Sequence, residues 1–175
     1  MSEPTRRLTP ELVPNPLWGV SAHKLLAPAW RRNIVPQVRA EAGGSCTCCG
    51  GMTKLMFAHE QWDYDEDDGV ATVVGLTLIC QDCNSAIHFG RLPSQYQEQA
   101  IQHLASVNGI TREQATVLRD DAMVVWMRRS ARAWTVAVSP TVVALYRDMA
   151  ALPERARAAL EAGDRVGFRF RPKPD

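Results

Sequence analysis

The chain contains no apolar run approaching the roughly 18 residues that a membrane-spanning helix requires. Its first stretch, from Met1 to Pro16, has four prolines and several charges but lacks the apolar core of a signal peptide. These absences predict a cytoplasmic protein with no secretory signal and no membrane contact. Internal repeats and low-complexity segments are lacking too, and 46% hydrophobic and 22% charged residues make an ordinary globular composition.

A large net charge is also missing, since the formal charge at pH 7 is +1. The charges are nevertheless unevenly placed, with net values of +4 in residues 1–40, −7 in 41–90 and +4 in 91–175. A basic frame around an acidic centre suits a protein that uses cations at its centre and binds phosphate groups outside it. The alternative is that the arginines are solvated helix faces.

Cysteine is scarce, and its five copies fall into two tight clusters, which argues against a disulfide framework. Cys46 and Cys49 form one Cys-x-x-Cys pair, and Cys80 and Cys83 form another. Two such pairs supply the four thiolates of a tetrahedral zinc site with no open position, so we expect a structural zinc ion and no role for Cys48 in binding it. Buried free cysteines or a redox pair are the alternatives.

Residue patterns predict an α+β fold. The centre is expected to form two strands and a short helix, over 54–59, 70–80 and 83–89. The proline-rich stretch to Trp18 is expected along the surface, before a helix over 28–42 that Pro36 breaks or kinks. Further helices are expected to begin at capping boxes at Ser94 and Thr111, at Pro140 and near Pro153. A strand is expected over 165–171. We divide the chain into an N-terminal arm and helix (1–44), a zinc module (45–91) and a helical C-terminal region ending in a short strand (92–175), forming one compact unit.

Between the cysteine pairs lie the residues that could carry chemistry. Ala58-His59-Glu60 falls on the first strand, and Asn84 and His88 follow Cys83. Residues four apart on a helix share a face, so Asn84 and His88 can converge on one ion. The alternatives are that His59 is a core histidine, that Asn84 caps the helix, and that His88 is a surface residue or a zinc ligand.

This pattern resembles the HNH family of ββα-metal nucleases, over roughly residues 45–91. The string His59-Glu60-Gln61-Trp62-Asp63-Tyr64-Asp65 is similar to one in a bacterial subgroup with a four-cysteine structural zinc, as is Pro16-Leu17-Trp18-Gly19 upstream. The resemblance implies a zinc-stapled ββα-metal (HNH) module embedded in a mainly helical domain.

The resemblance also implies an activity, namely metal-dependent hydrolysis of phosphodiester bonds in DNA. His59 would be the general base that activates water, and Asn84 and His88 would hold the catalytic Mg²⁺ or another divalent cation. DNA is the expected partner, while RNA as a substrate and a homodimer are left open.

Two positions depart from the family pattern. The residue before the base is usually an Asp or His that binds the metal, and here it is Ala58; the Asn that orients the base falls near Gly75. A replacement ligand could come from Asp63 or Asp65 in a following loop. The acidic run from Asp63 to Asp68 does not fit the EF-hand template and is interpreted as a solvated loop. The alternative function is therefore a catalytically degenerate, zinc-stapled nucleic-acid-binding protein.

Overall fold

The computed structural model describes residues 7–21, 30, 34–144, 154 and 168–170. The helix expected near Pro153 lies outside the described residues, apart from Glu154, as does most of the stretch expected to begin a helix before Val35. The C-terminal strand is described over Phe168–Phe170.

A long antiparallel hairpin forms the centre of the fold. Its strands are β1 (Met56–Asp65) and β2 (Val70–Cys80), so β1 is longer than the sequence indicated. The Asp65 carboxylate accepts hydrogen bonds from the backbone N–H groups of Asp67 and Asp68, and Gly69 takes a positive φ of 67°. The acidic run thus ends β1 and continues into a turn over 66–69 that the Asp65 side chain stabilises.

The hairpin extends into a four-stranded sheet in the order β1-β2-β3-β4, with β3 over Trp134–Val138 and β4 over Phe168–Phe170. β2 pairs with β3 in parallel, and the other two pairings are antiparallel. The expected mixture of helices and strands is confirmed, but β3 was not predicted. The region after residue 91 is therefore less purely helical than expected, because it contributes two strands to the sheet.

The described residues form five α-helices. They are α1 (Val35–Glu41), α2 (Gln81–Ile87), α3 (Ser94–Asn108), α4 (Arg112–Ser130) and α5 (Pro140–Ala144). Pro36 lies in the first turn of α1, where its missing N–H costs nothing. The predicted break or kink is not tested, because most of the residues before Ile34 lie outside the described residues. The capping box at Thr111 is confirmed. The one predicted at Ser94 is wrong, because Ser94 is the first residue of α3 and the cap position is Pro93, which makes no side-chain hydrogen bond. None of these helices combines the length and apolarity needed to cross a membrane.

Two hydrophobic cores lie on opposite faces of β2. Leu78 packs in the first core, together with Val38, Trp134 and Val142. The neighbouring Ile79 packs in the second core. The second core packs α2, α3 and α4 around the cysteines and includes Cys46, Cys80, Cys83, Ile87, Ile101, Leu104 and Ala115. The cysteine cluster therefore belongs to the core that packs against α2, α3 and α4.

Residues 7–21, the N-terminal strap, pack into the molecule. Leu8 and Leu17 are fully buried, so the expectation of a surface segment is wrong. The Asn108 side chain at the end of α3 accepts hydrogen bonds from the N–H groups of Arg7 and Leu8 and donates to the Leu8 carbonyl. The strap reaches α4 as well, where Trp126 Nε1 donates to the Val13 carbonyl.

Candidate active site and metal centre

The first cysteine pair lies in a tight turn before β1. The Gly50 N–H donates to the Cys46 carbonyl, and the Cys46 N–H donates to the Gly51 carbonyl. Gly50 has a φ of 74°, which a side chain would strain, and the Gly51 N–H points to Cys49 Sγ at 3.4 Å. Backbone N–H groups directed at sulfur stabilise a thiolate, as expected of a metal-binding turn.

The second pair joins β2 to α2. Cys80 ends the strand and precedes the first helical residue, and Cys83 lies in the first turn of the helix. Both side chains are buried. A strand that runs directly into a helix thus brings these two thiols to the turn that carries Cys46 and Cys49.

The four sulfur atoms of Cys46, Cys49, Cys80 and Cys83 lie within 4.8 Å of one another, close enough to hold a metal ion. Cys49 Sγ and Cys80 Sγ are 3.7 Å apart. Zn–S bonds of about 2.3 Å at tetrahedral angles place sulfurs about 3.8 Å apart, so the donors and their spacing fit zinc. The expectation that these four residues form one metal site is confirmed in this sense.

Two further side chains contact Cys83. The Cys48 thiol interacts with it, and this interaction lowers the pKa of Cys48 to about 7. His103 on α3 places Nε2 at 3.2 Å from Cys83 Sγ. No role was predicted for His103, because it is distant from Cys83 along the chain and only the packing of α2 against α3 brings the two side chains into contact.

His59 and His88 meet outside the cysteine cluster. His59 lies on β1 and His88 directly follows α2, and their Nε2 atoms are 2.9 Å apart. The His88 ring is therefore directed at His59, which leaves the zinc-ligand alternative for His88 unsupported.

Hydrogen bonds at the other ring nitrogens determine what these Nε2 atoms can do. His88 Nδ1 lies 3.1 Å from the Glu11 carbonyl oxygen, which only accepts, so Nδ1 carries the proton. His59 also hydrogen-bonds the backbone of Glu60. With Nδ1 protonated, neutral His88 presents its Nε2 lone pair to His59 Nε2, which can meet it as an N–H donor or share a cation with it.

Burial disfavours protonation of either imidazole ring. It lowers the pKa of His59 to about 4, with the neighbouring His88 adding to the effect, and burial also lowers the pKa of His88. Two nitrogens bound at about 2.1 Å and at right angles on one octahedral divalent ion would be about 3 Å apart. The two histidines therefore fit a shared divalent cation.

A cleft of about 800 Å³ opens beside this pair. His59 and His88 line it together with Ala58 and Arg91, and its other described walls are mainly apolar, including Trp18, Val20, Trp30, Met56 and Trp62. A phosphate group could approach both imidazoles from here, with the Arg91 guanidinium nearby.

The other predicted site residues are placed less favourably. α2 begins at Gln81, so Asn84 lies inside the helix and does not cap it. Its backbone carbonyl accepts the His88 N–H, but its side chain does not line the described part of the cleft. Asp63 and Asp65 belong to β1, not to a loop that could fold back, and the described wall of the cleft includes neither. Gly75 pairs with Gln61 at a bulge, and a side chain there would meet Gln61 Oε1.

A polar network lies between the strap and α4. Burial raises the pKa of the Glu11 carboxyl to about 7, although the Arg129 guanidinium opposes the shift. Arg129 stacks over the Tyr64 ring at 3.9 Å and donates to Glu66. Hydrogen bonds from Arg128 and, to a lesser extent, from Arg129 lower the pKa of the Glu66 carboxyl to about 2. Part of the basic frame thus neutralises the acidic centre of this same chain.

Comparison with known proteins adds no family. No protein-family model matches the chain, and no curated protein or solved structure matches it. The functional argument therefore depends on the geometry of the two sites.

Proposed function

We propose that the cysteine cluster binds one structural zinc ion per chain. The four donors would close the coordination shell, so the ion would link the first turn, the end of β2 and the start of α2. Purified protein should contain one zinc per chain by elemental analysis. Cys80→Ser should lose the metal and Cys48→Ser should retain it, while well under one zinc in the wild-type protein would contradict the assignment.

We propose that the chain is a metal-dependent endonuclease that hydrolyses phosphodiester bonds in DNA, in an HNH-like module. The single observation that supports this most is the convergence of His59 and His88 at the wall of an open cleft. Burial lowers the pKa of both histidines and keeps the rings neutral at pH 7, so that an Nε2 lone pair can bind a divalent cation or take a proton from an attacking water, and Arg91 adds positive charge for a phosphate.

Each residue has its own role in this proposal. His88, with its Nδ1–H held by the Glu11 carbonyl, would bind Mg²⁺ or another divalent cation through Nε2. Asn84, the second helix ligand implied by the HNH resemblance, would have to turn its side chain toward the cleft, because that side chain does not line the described part of the wall. The cation would neutralise the scissile phosphate when bound. His59 would take the proton from the attacking water at Nε2. If His59 Nε2 instead bound the cation together with His88, its lone pair would be occupied and another group would have to act as the base.

A nicking assay on supercoiled plasmid with Mg²⁺, Mn²⁺, Ni²⁺ or Zn²⁺ tests the proposal. His59→Ala and His88→Ala should each reduce cleavage by at least about 100-fold, the usual effect of losing an acid–base group. Gln61→Ala, an exposed change two residues further along β1, should leave it unchanged. Zinc content and circular dichroism should match wild type, so that lost cleavage cannot be attributed to unfolding.

A catalytically degenerate nucleic-acid-binding protein is the second candidate. The observation that favours it is that, among the described residues, the only group of three or more clustered metal-binding side chains is the cysteine set. Ala58 lines the cleft but supplies no ligand. Wild-type protein that binds DNA yet cuts nothing with any of the four ions would establish this candidate and contradict the nuclease.

A further inference from the structure

Trp18 lies exposed at the end of the cleft where the strap turns. It retains 60% of its accessible surface, although most described tryptophans are partly or fully buried. The Arg91 guanidinium lies 5.6 Å from the centre of its ring. A large apolar ring held in the open beside a cation has no role in either hydrophobic core, since both are built from other residues.

The same two side chains line the cleft that contains the histidine pair. Arg91 follows His88 by three residues, in the short 3₁₀ turn Phe89–Arg91, and its charge contributes to lowering the pKa of His88. The Arg91 guanidinium, two imidazoles and an aromatic ring therefore line one cleft, together with the Glu60 carboxylate. The volume of about 800 Å³ falls within the roughly 300–1,000 Å³ of pockets that enclose small organic groups.

The chemistry of this wall matches one nucleotide. A phosphate is recognised by a guanidinium and by the donors or cations near it, and a base is recognised by stacking on an aromatic ring. In a duplex both faces of each base are covered by its neighbours. An aromatic ring can therefore reach a base face only where the base has left the stack or has no partner strand.

We propose that the cleft binds an unpaired nucleotide of a DNA strand, with its base stacked on Trp18 and its phosphate facing Arg91 and the histidine pair. This inference rests on the proposed nuclease function and names its substrate class as single-stranded or locally unpaired DNA. Trp18 supplies base contact without reading sequence, because every base has a π-face.

Fluorescence anisotropy without added divalent cation tests binding separately from cleavage. The probes are a single-stranded oligonucleotide, its perfect duplex, and the same strand with tetrahydrofuran abasic residues that keep the phosphates but lack bases. Wild-type protein should bind the single strand more tightly than the duplex or the abasic strand. Trp18→Ala should weaken binding of the single strand by roughly 5- to 150-fold, and Trp18→Phe should restore most of it.

The controls separate base contact from charge and folding. Trp18→Ala should not change affinity for the abasic strand, whereas Arg91→Gln should weaken binding of both strands by a similar factor. Tyr96→Ala removes an aromatic ring of comparable exposure elsewhere on the surface and should change neither affinity. Unfolding temperatures of all variants should stay close to wild type.

Equal affinity for duplex and single strand, or equal losses for normal and abasic strands on Trp18→Ala, would overturn the inference. The absence of any DNA binding would overturn it as well. Its failure is distinguishable from that of the nuclease proposal. Plasmid cleavage that depends on His59 but not on Trp18 would support the nuclease proposal and contradict only the nucleotide-binding site. Base-dependent binding with no cleavage under any ion would support the nucleotide-binding site and contradict only the nuclease proposal.

Discussion

His103 distinguishes Cys83 from the other three cysteines of the cluster. Its Nε2 atom lies 3.2 Å from Cys83 Sγ, close enough for an N–H···S hydrogen bond. Hydrogen bonds from outside the coordination shell orient metal ligands and disperse the charge of a thiolate. The bond also connects the metal site to α3, although no cysteine lies on that helix.

We expect His103→Phe to accelerate zinc loss by about 10-fold, because removing such a partner typically weakens metal affinity 10- to 100-fold. Transfer of zinc to a chromogenic chelator measures the rate. His103→Gln keeps an N–H donor and should lose zinc at close to the wild-type rate. Equal rates for Phe and wild type would show that the contact does not support the metal.

At the scale of elements, the strap supports the histidine pair through its backbone. The Glu11 N–H donates to the Ile87 carbonyl at the end of α2, and the Glu11 carbonyl accepts from His88 Nδ1. Gly90 permits this close packing, since a side chain there would overlap Leu12. The segment that was expected along the surface thus determines which nitrogen of His88 faces the cleft.

The half-buried carboxyl of Glu11 makes the stability of the protein depend on pH. Its pKa is about 7 in the folded chain and about 4.5 in the unfolded chain, so the folded state binds the proton more tightly. Stability is therefore lost as pH rises from about 4.5 to 7. Glu11→Gln should raise the free energy of unfolding by about 2 kcal/mol at pH 8 and by little at pH 4.5.

Denaturant unfolding at both pH values measures this effect. Asp121→Asn changes an exposed carboxylate in the middle of α4 and, as a control, should alter stability little at either pH. If Glu11→Gln destabilised the protein at pH 8, attraction to Arg129 would outweigh the cost of burial, and the expected pH dependence would be wrong.

The local elements were largely predictable, because neighbouring residues determine them. β2 occupies 70–80 as its run of Val, Thr, Leu and Ile indicated, and Thr111 caps α4 by the predicted reciprocal bonds. Elements were missed where the deciding contacts are distant. Trp134–Val138 is short and follows a long helix, and it becomes a strand by pairing in parallel with β2 more than 60 residues earlier.

At the scale of the whole molecule, the cysteine cluster belongs to a core that joins the strap, the hairpin and three helices. Leu8, Ile79, Ile87, Leu104 and Ala115 pack in this core with Cys46, Cys80 and Cys83. Structural zinc sites contribute on the order of 10 kcal/mol of apparent binding free energy, comparable to the stability of a whole domain. Loss of the metal should therefore disturb more than the two cysteine turns.

We expect chelation of the metal to unfold this core cooperatively. Hydrogen exchange followed by mass spectrometry should show lost protection in α2, α3 and the strap together, and re-addition of zinc should restore it. Cys80→Ser should behave like the chelated protein, while Cys48→Ser should behave like the metal-bound one. Lost protection confined to residues 46–51 would show that the metal stabilises only its own turn.

The sequence alone determined which residues could bind a metal, because a Cys-x-x-Cys spacing brings two thiols into one turn whatever surrounds it. It also indicated the hairpin and the helix that follow from local patterns. Only the tertiary structure decided which side chains meet: His59 with His88, His103 with Cys83, and Trp18 with Arg91. Asn84, one helical turn before His88, stays outside the described cleft wall. The reason is that spacing limits geometry within a turn, whereas contacts between distant segments depend on how the elements pack.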